Sequence, residues 1–197
     1  MSTGPSVADF REVLDFWFGP AGSSEFGQAR AVWFRKSDAF DAAIRTRFLD
    51  LQRQAADGHM QAWQAAPESM LALILALDQF SRNLFRGSSR AFASDAQAQA
   101  AAHVAVARGY DQALLPVQRW FVYLPFEHAE DLALQQRSLQ LFEGLRGDAA
   151  SAGTMDYVRR HHEIIARFGR FPHRNAVLGR ISTPEEIEFM QQPRSGF

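Results

Sequence analysis

The sequence predicts an all-α protein of stacked antiparallel helical hairpins, with about seven to eight helices. Apolar residues recur at three- and four-residue spacing along most of the chain, and no segment alternates apolar and polar residues long enough to form a convincing strand. Short breaks that contain glycine or proline separate the periodic segments. The chain has 197 residues, 47% of them hydrophobic, which is enough for one core, so residues 1–197 are expected to form a single helical domain.

Four helices are expected in the first half of the chain. Each begins with a polar capping residue or a first-turn proline and ends at or just before a turn-forming residue. They begin after Ser6, after Ser37, at Pro67 and after Ser94, and they end at Gly19, Asp57, Phe85 and Gly109. The third contains the longest apolar run, Met70 to Leu77, and is expected to be central because it is apolar nearly all round.

Three helices are expected in the second half, after an aromatic stretch that Pro116 and Pro125 punctuate. Their predicted spans are Phe126 to Leu145, Thr154 or Asp156 to Phe168, and a short terminal helix after Thr183. The last of these has the pattern of a capping box, since Glu186 follows Thr183 by three residues with a proline in the first turn.

Composition excludes several functional classes. The 21 basic residues nearly balance the 22 acidic ones, so the net charge of −1 gives no overall field that attracts nucleic acid or an anionic membrane. The absence of cysteine excludes disulfides, a thiolate nucleophile and cysteine-containing metal sites, and no cofactor is expected. The apolar run is too short to cross a bilayer, and the first residues lack an export signal. A cytoplasmic location is therefore expected.

The first polar cluster, Asp78 to Asn83, directly follows the apolar run on the helix expected to be most buried. Asp78 and Arg82 are four residues apart, so an intrahelical salt bridge explains both without any function. Alternatively, Gln79, Arg82 and Asn83 point into a cleft, where Asp78 holds the guanidinium for an anionic ligand. The spacing alone leaves both interpretations open.

The second cluster places Glu127, His128, Glu130 and Asp131 within five positions at the expected start of a helix. The helix dipole stabilises acidic residues in a first turn, so Glu127 needs no functional explanation there. His128 and Asp131 could share a metal, but no second histidine-containing pair supports a closed site, and no metal is expected. General acid–base catalysis by Glu127 or His128 stays open.

The third cluster lies between residues 159 and 180, a segment that contains six arginines and only one acidic residue. His161 falls on an apolar helix face and is interpreted as a core or cleft histidine. The loop that follows presents Arg170, His173, Arg174 and Asn175. Such loops bind carboxylate or phosphate groups, but they also cap helix ends of their own fold.

Three strings carry these clusters: 77–83 (LDQFSRN), 124–131 (LPFEHAED) and 168–175 (FGRFPHRN). Together they resemble a family of mostly bacterial proteins catalogued as the domain of unknown function numbered nine hundred and twenty-four. The segment 13–18 (VLDFWF) and the Trp33-Phe34 pair are also similar to that family, so the resemblance covers nearly the whole chain. It implies a tetratricopeptide-like helical fold and no established activity.

Because the resemblance rests on the polar clusters, it implies one converging site. The candidate residues are Asp78, Gln79, Arg82, Asn83, Glu127, His128, Arg170, His173, Arg174 and Asn175. The leading hypothesis is a cleft that binds a small anionic molecule or a peptide carboxylate. The alternative is a hydrolase or transferase that acts on a phosphorylated or carboxylated small molecule through His128 or His173. RNA binding by the arginine-rich stretch is a third hypothesis, which requires an exposed and contiguous basic patch.

Overall fold

The computed structural model describes residues 9–193, 195 and 196. Within these residues the protein has eight α-helices and no β-strand, which confirms the all-α prediction. The helices are α1 (Phe10–Phe18), α2 (Asp38–Ala56), α3 (Pro67–Leu84), α4 (Asp95–Ala107), α5 (Pro116–Glu127), α6 (Leu132–Glu143), α7 (Thr154–Phe168) and α8 (Pro184–Met190). The predicted cap Ser6 lies outside the described residues. None of the described helices is long and apolar enough to span a membrane.

Helix α3 is the buried centre of the fold, as predicted. It begins with Pro67 in its first turn, where a missing N–H costs nothing, and it packs against α1, α2 and α4. The helix is α-helical from Pro67 to Ile74, passes through a π-helical segment from Leu75 to Phe80, and finishes as α-helix from Ser81 to Leu84. Such π segments are rare and often occur at functional sites. Here the segment contains Asp78 and Gln79, which are both buried.

Aromatic side chains fill the core around this helix. The rings of Trp17 and Phe121 meet edge to face at 5.5 Å, and Phe48 stacks on Phe80 at 5.0 Å. All four side chains are at most 1% exposed, so they anchor α1, α2, α3 and α5 to one another.

The expected long helix from Phe126 to Leu145 is wrong. The aromatic stretch is itself helical and forms α5, which contains Pro125 in its last turn and ends at Glu127. The chain then breaks, and the side chain of Asp131 accepts a hydrogen bond from the Leu134 amide at 2.9 Å to cap α6. Glu127 therefore lies at the carboxyl end of a helix rather than at its start, where the helix dipole disfavours an anion.

A second correction concerns the start of α4. The helix begins at Asp95 as predicted, but the hydroxyl of Ser94 does not cap it. That hydroxyl instead donates to the Leu77 carbonyl at 2.6 Å and lies 2.8 Å from the Ser81 hydroxyl. The contacts tie the start of α4 to the π-helical part of α3, so Asp95 is held close to Asp78 and Arg82.

A small separate cluster closes the carboxyl-terminal part of the molecule. Ile164 and Ile165 of α7 pack with Phe171 and with Phe189 of α8. The predicted capping box of α8 is present, since the Thr183 hydroxyl accepts from the Glu186 amide and the Glu186 carboxylate accepts from the Thr183 amide. This cluster fixes the loop between α7 and α8 against the rest of the fold.

Candidate functional site

Asp78 is the centre of a buried polar network. Its side chain is 1% exposed, and its Oδ1 lies 2.9 Å from Arg82 Nη1 and 2.8 Å from His128 Nδ1. Its Oδ2 accepts from Gln79 Nε2 at 2.6 Å. Burial raises the pKa of the carboxyl group, but the Arg82 and His128 contacts outweigh burial, so the pKa is lowered and Asp78 is ionised at neutral pH.

Arg82 extends the network to α4. Its Nη1 and Nη2 donate to the two carboxylate oxygens of Asp95 at 2.9 and 3.1 Å, which is a bidentate pair. Asp95 lies in the first turn of α4, where the helix dipole also stabilises its charge. The guanidinium is thus compensated by two carboxylates, Asp78 and Asp95.

His128 directly follows α5, and its position fixes its tautomer. Because Asp78 is ionised and can only accept, His128 must donate its Nδ1 proton across the 2.8 Å contact. Burial and the nearby charge of Arg82 lower the pKa of His128, so the ring is neutral at pH 7 and its Nε2 carries a lone pair. This nitrogen has no hydrogen-bond partner among the described residues and is not one of their fully buried atoms. The ring is 14% exposed, and the exposed part includes Nε2.

A second histidine–carboxylate pair lies beside the first. Nδ1 of His161, on α7, is 2.8 Å from Glu127 Oε1, and both side chains are nearly fully buried. The pair explains how an acidic residue is accommodated at the carboxyl end of α5. The centroids of the His128 and His161 rings are 6.2 Å apart, so the two pairs are neighbours.

Arg174 approaches the network from the loop after α7. A short 3₁₀ turn, Pro172–Arg174, directs its side chain inward, and the residue is 6% exposed. Its guanidinium lies over the rings of Phe92 at 4.6 Å and Phe171 at 4.4 Å. Its one ion pair among the described residues is the contact of Nη1 with Asp95 at 3.5 Å, and its buried Nε has no hydrogen-bond partner there. Burial and the nearby Arg82 lower the pKa of Arg174 to about 10.

These contacts close a circle of seven side chains, which we call the polar ring. In order of contact its members are Arg174, Phe171, His161, His128, Asp78, Arg82 and Asp95. The members come from α3, α4, α7, the residue after α5 and the loop after α7. The ring therefore forms only when segments distant in sequence pack together.

The structure places seven of the ten predicted site residues in the polar ring or in contact with one of its members. Asp78, Arg82, His128 and Arg174 are members, and Gln79 and Glu127 each contact a member. His173 adjoins the ring through Phe171, since their ring centroids are 5.6 Å apart. Burial and Arg174 lower the pKa of His173 to about 4.

The other three predicted residues lie elsewhere. Asn83 donates to Asp41 Oδ1 at 2.7 Å, on the side of α3 that faces α2. Arg170 pairs with Glu186 through two hydrogen bonds of 2.6 and 2.8 Å. Asn175 donates to the same carboxylate at 3.2 Å. These contacts stabilise packing between helices and hold α8 against the loop.

The arginine-rich stretch is largely neutralised by acidic residues from other segments. Arg180 pairs with Glu130 at 2.6 Å, and Arg167 pairs with Glu185 at 2.8 Å. Since Arg170 is also paired, the charge that is continuous in sequence is divided in space. These pairings lower the basic charge that the stretch offers to RNA.

Two surface cavities lie apart from the polar ring. One of about 120 Å³ is lined by α7 and α8, and a more open groove of about 560 Å³ lies between α2 and the end of α3. Asn83 is the predicted site residue that lines the groove. No group of three or more histidine, aspartate or glutamate side chains in the described ranges could hold a metal ion.

Sequence reasoning missed four residues of this site. From the sequence, Asp95 is only the first residue after the predicted Ser94 cap, and His161 is only a core or cleft histidine. The aromatic residues Phe92 and Phe171 carried no polar signal at all. Asp95 could have been noticed as a carboxylate beside the Ser94 cap, but its partners lie 13 and 79 positions away.

The comparisons with known proteins agree with this structure. A family model described as bacterial protein of unknown function (DUF924) matches residues 13–194. The solved structure of a protein of unknown function from Agrobacterium tumefaciens, ATU0120, is 40% identical, with a TM-score of 0.81. The match covers 93% of this chain and 97% of that chain. None of the curated proteins matches. The chain belongs to the DUF924 family of bacterial proteins of unknown function.

Proposed function

We propose that the protein binds a small anionic molecule, or the carboxylate of a peptide, through Arg174 at the polar ring. The observation that carries this proposal is the incomplete compensation of the Arg174 guanidinium. It is 6% exposed, its Nε has no hydrogen-bond partner among the described residues, and its carboxylate contact is 3.5 Å long. A carboxylate or phosphate group is the chemical partner that a buried guanidinium lacks.

The other ions of the network support this interpretation by contrast. Asp78, Arg82 and Asp95 all have an opposite charge within 2.9 Å. The Glu127 carboxylate has His161 at 2.8 Å. Removing a charge from water without close compensation costs several kcal/mol, so an under-compensated arginine is costly to keep in an unliganded fold. Ligand binding would recover that energy.

The surroundings of Arg174 also favour a defined ligand geometry. The rings of Phe92 and Phe171 lie 4.6 and 4.4 Å from the guanidinium carbon, so they leave a ligand only part of the guanidinium surface. In-plane contact is the geometry in which arginine binds a carboxylate or phosphate through parallel hydrogen bonds. This arrangement favours recognition of a single anionic group over binding to an extended polyanion.

The test is thermal unfolding at constant ionic strength with sodium phosphate, acetate or citrate in place of chloride. A ligand of the folded state that is present at about 100 times its Kd stabilises by about 2.7 kcal/mol. That gain raises the midpoint of a domain of this size by about 5–10 °C. Phosphate and citrate also stabilise proteins by exclusion from their surface, so the specific effect is the part that Arg174→Met abolishes. The matched control is Arg159→Met, since Arg159 is on α7 and 53% exposed.

Two outcomes separate the possibilities. Specific stabilisation by any of these anions in the wild type and in Arg159→Met, but not in Arg174→Met, supports the proposal. Equal stabilisation of the wild type, Arg159→Met and Arg174→Met shows that Arg174 binds none of the three anions, and it overturns the proposal.

The tetratricopeptide-like character of the fold and the cytoplasmic location stay predictions from the sequence.

A further inference from the structure

The polar ring contains an imidazole whose free nitrogen is fixed by its neighbours. His128 donates Nδ1–H to the ionised Asp78, so its Nε2 is left as an acceptor. That nitrogen has no hydrogen-bond partner among the described residues and is in the exposed part of the ring. A neutral histidine held by a carboxylate through Nδ1 is the arrangement in which Nε2 accepts protons in catalysis.

We propose that His128, positioned by Asp78, is the general base of an enzyme that acts on the molecule whose anionic group Arg174 binds. The inference rests on the proposed function, because Arg174 supplies the substrate's position. Arg174 and His128 are both members of the polar ring. His128 adjoins His161 at 6.2 Å, His161 meets Phe171 at 5.5 Å, and Phe171 packs under Arg174 at 4.4 Å.

The substrate class is a small carboxylate- or phosphate-bearing molecule with a bond that water can hydrolyse. Nε2 takes one proton from a water molecule as the water oxygen bonds to the electrophilic carbon or phosphorus atom. The bond to the leaving group then breaks, and the His128 imidazolium returns the proton to the leaving group. Asp78 stays ionised throughout and stabilises the transient imidazolium. The histidine ends in its starting state, so the cycle needs no additional reactant.

The charged groups that face His128 suit this role. Arg82 disfavours a permanent charge on the ring, while Asp78 and Glu127 stabilise the charge that forms transiently. The His161 ring lies 6.2 Å from the His128 ring, and His173, which also acts electrostatically on this pair, is itself kept neutral by burial and by Arg174. His128 therefore combines a carboxylate contact at Nδ1 with an Nε2 that lies in the exposed part of the ring.

The first experiment uses 4-nitrophenyl acetate, an activated ester that a basic imidazole hydrolyses without a dedicated binding site. We expect His128→Gln to lower the hydrolysis rate at least about tenfold, since general bases contribute 10²–10⁴-fold to native reactions. The control is His59→Gln, which removes an exposed histidine outside the polar ring. Thermal melts verify that both variants are folded. An equal rate in the two variants overturns the inference.

The second experiment tests Asp78 as a positioning residue. In ¹⁵N spectra of the wild type at pH 7, His128 should be neutral, with its proton on Nδ1 and none on Nε2. Asp78→Asn should move that proton toward Nε2 and slow ester hydrolysis at least about tenfold. A wild-type spectrum with the proton on Nε2, or with a doubly protonated ring, overturns the inference even if Asp78→Asn does not fold.

Added phosphate distinguishes this inference from the proposed function. If phosphate binds at Arg174, it should raise the midpoint, perturb the Nε2 resonance and slow hydrolysis of the ester. A raised midpoint without any effect on Nε2 or on hydrolysis leaves anion binding intact and overturns the role of His128. If phosphate, acetate and citrate all fail to bind through Arg174, the proposed function fails and the inference fails with it.

Discussion

Replacing Arg174 with methionine is expected to stabilise the unliganded protein, although it removes a buried side chain. Burial and the nearby Arg82 lower the pKa of Arg174 from its ordinary value to about 10 in the folded protein, so folding disfavours its charged form. At about 1.4 kcal/mol per pKa unit, that shift corresponds to a destabilisation of about 3 kcal/mol at pH 7. Methionine keeps an unbranched apolar side chain between Phe92 and Phe171, so most of the packing is retained.

The expected net gain is about 1–3 kcal/mol, because the loss of the weak contact with Asp95 offsets part of the electrostatic benefit. Asp95 keeps its bidentate partner Arg82, so no unpaired carboxylate is created. Urea denaturation at pH 7 measures the effect as a higher transition midpoint with an unchanged slope. Arg174→Lys serves as a control that keeps the buried charge, and it should give no gain.

The opposite result would refute the reasoning. If Arg174→Met lowers the free energy of unfolding by more than about 1 kcal/mol, the guanidinium is well compensated in the fold. The observation that carries the anion-binding proposal would then be lost. Stabilisation accompanied by loss of anion binding is the pattern of a group kept for function at a cost in stability.

Three further predictions follow from the same contacts. The free energy of unfolding should fall as the pH drops from about 6.5 to 4, because the unfolded chain then binds protons that His128 and His173 do not bind in the folded state. His173→Gln should remove about 2 kcal/mol of that loss in urea titrations at several pH values. If the unfolding free energy of His173→Gln depends on pH as steeply as that of the wild type, the prediction is contradicted. Asp95→Asn should lower the unfolding free energy by about 2–3 kcal/mol yet strengthen phosphate binding, because Arg174 loses its carboxylate; weaker binding in calorimetry would argue against this. Phe80→Ala should cost about 3–5 kcal/mol in thermal or urea unfolding, since the ring is fully buried, and a loss below 1 kcal/mol would contradict the described core.

Helix starts with a local signal were predictable from the sequence. Ser37 caps α2, Pro67 begins α3 and Thr183 caps α8, as their residue types and spacing indicated. The break after Glu127 was not predictable in the same way. A proline near the end of a helix removes a single hydrogen bond, and the buried aromatic residues around Pro125 compensate for it by packing. Tertiary packing therefore overrode a local helix-breaking signal.

The residue types of the candidate site were predictable from the sequence, but the side chains that contact each other were not. Glu127 looked like an ordinary first-turn acid, whereas its partner His161 lies on a different helix and has no relation to it in sequence spacing. Adjacent residues in one sequence segment also contact different parts of the fold. Arg82 joins the polar ring while its neighbour Asn83 bonds to Asp41 of α2. Adjacent positions on a helix lie about 100° apart, so one string serves two contacts.

The loop after α7 allows a comparison between arginines whose charge is closely compensated and one whose charge is not. Arg170 and Arg180 each meet a carboxylate oxygen at 2.6 Å, and both remain partly exposed. Arg174, between them in sequence, is the most buried of the three and has the longest ion pair, 3.5 Å to Asp95. If the loop served only to hold helices together, the most buried charge would need the closest compensation. Its weaker compensation instead favours a ligand as the missing partner, and Nε2 of His128, which belongs to the same polar ring, is the group proposed to act on that ligand.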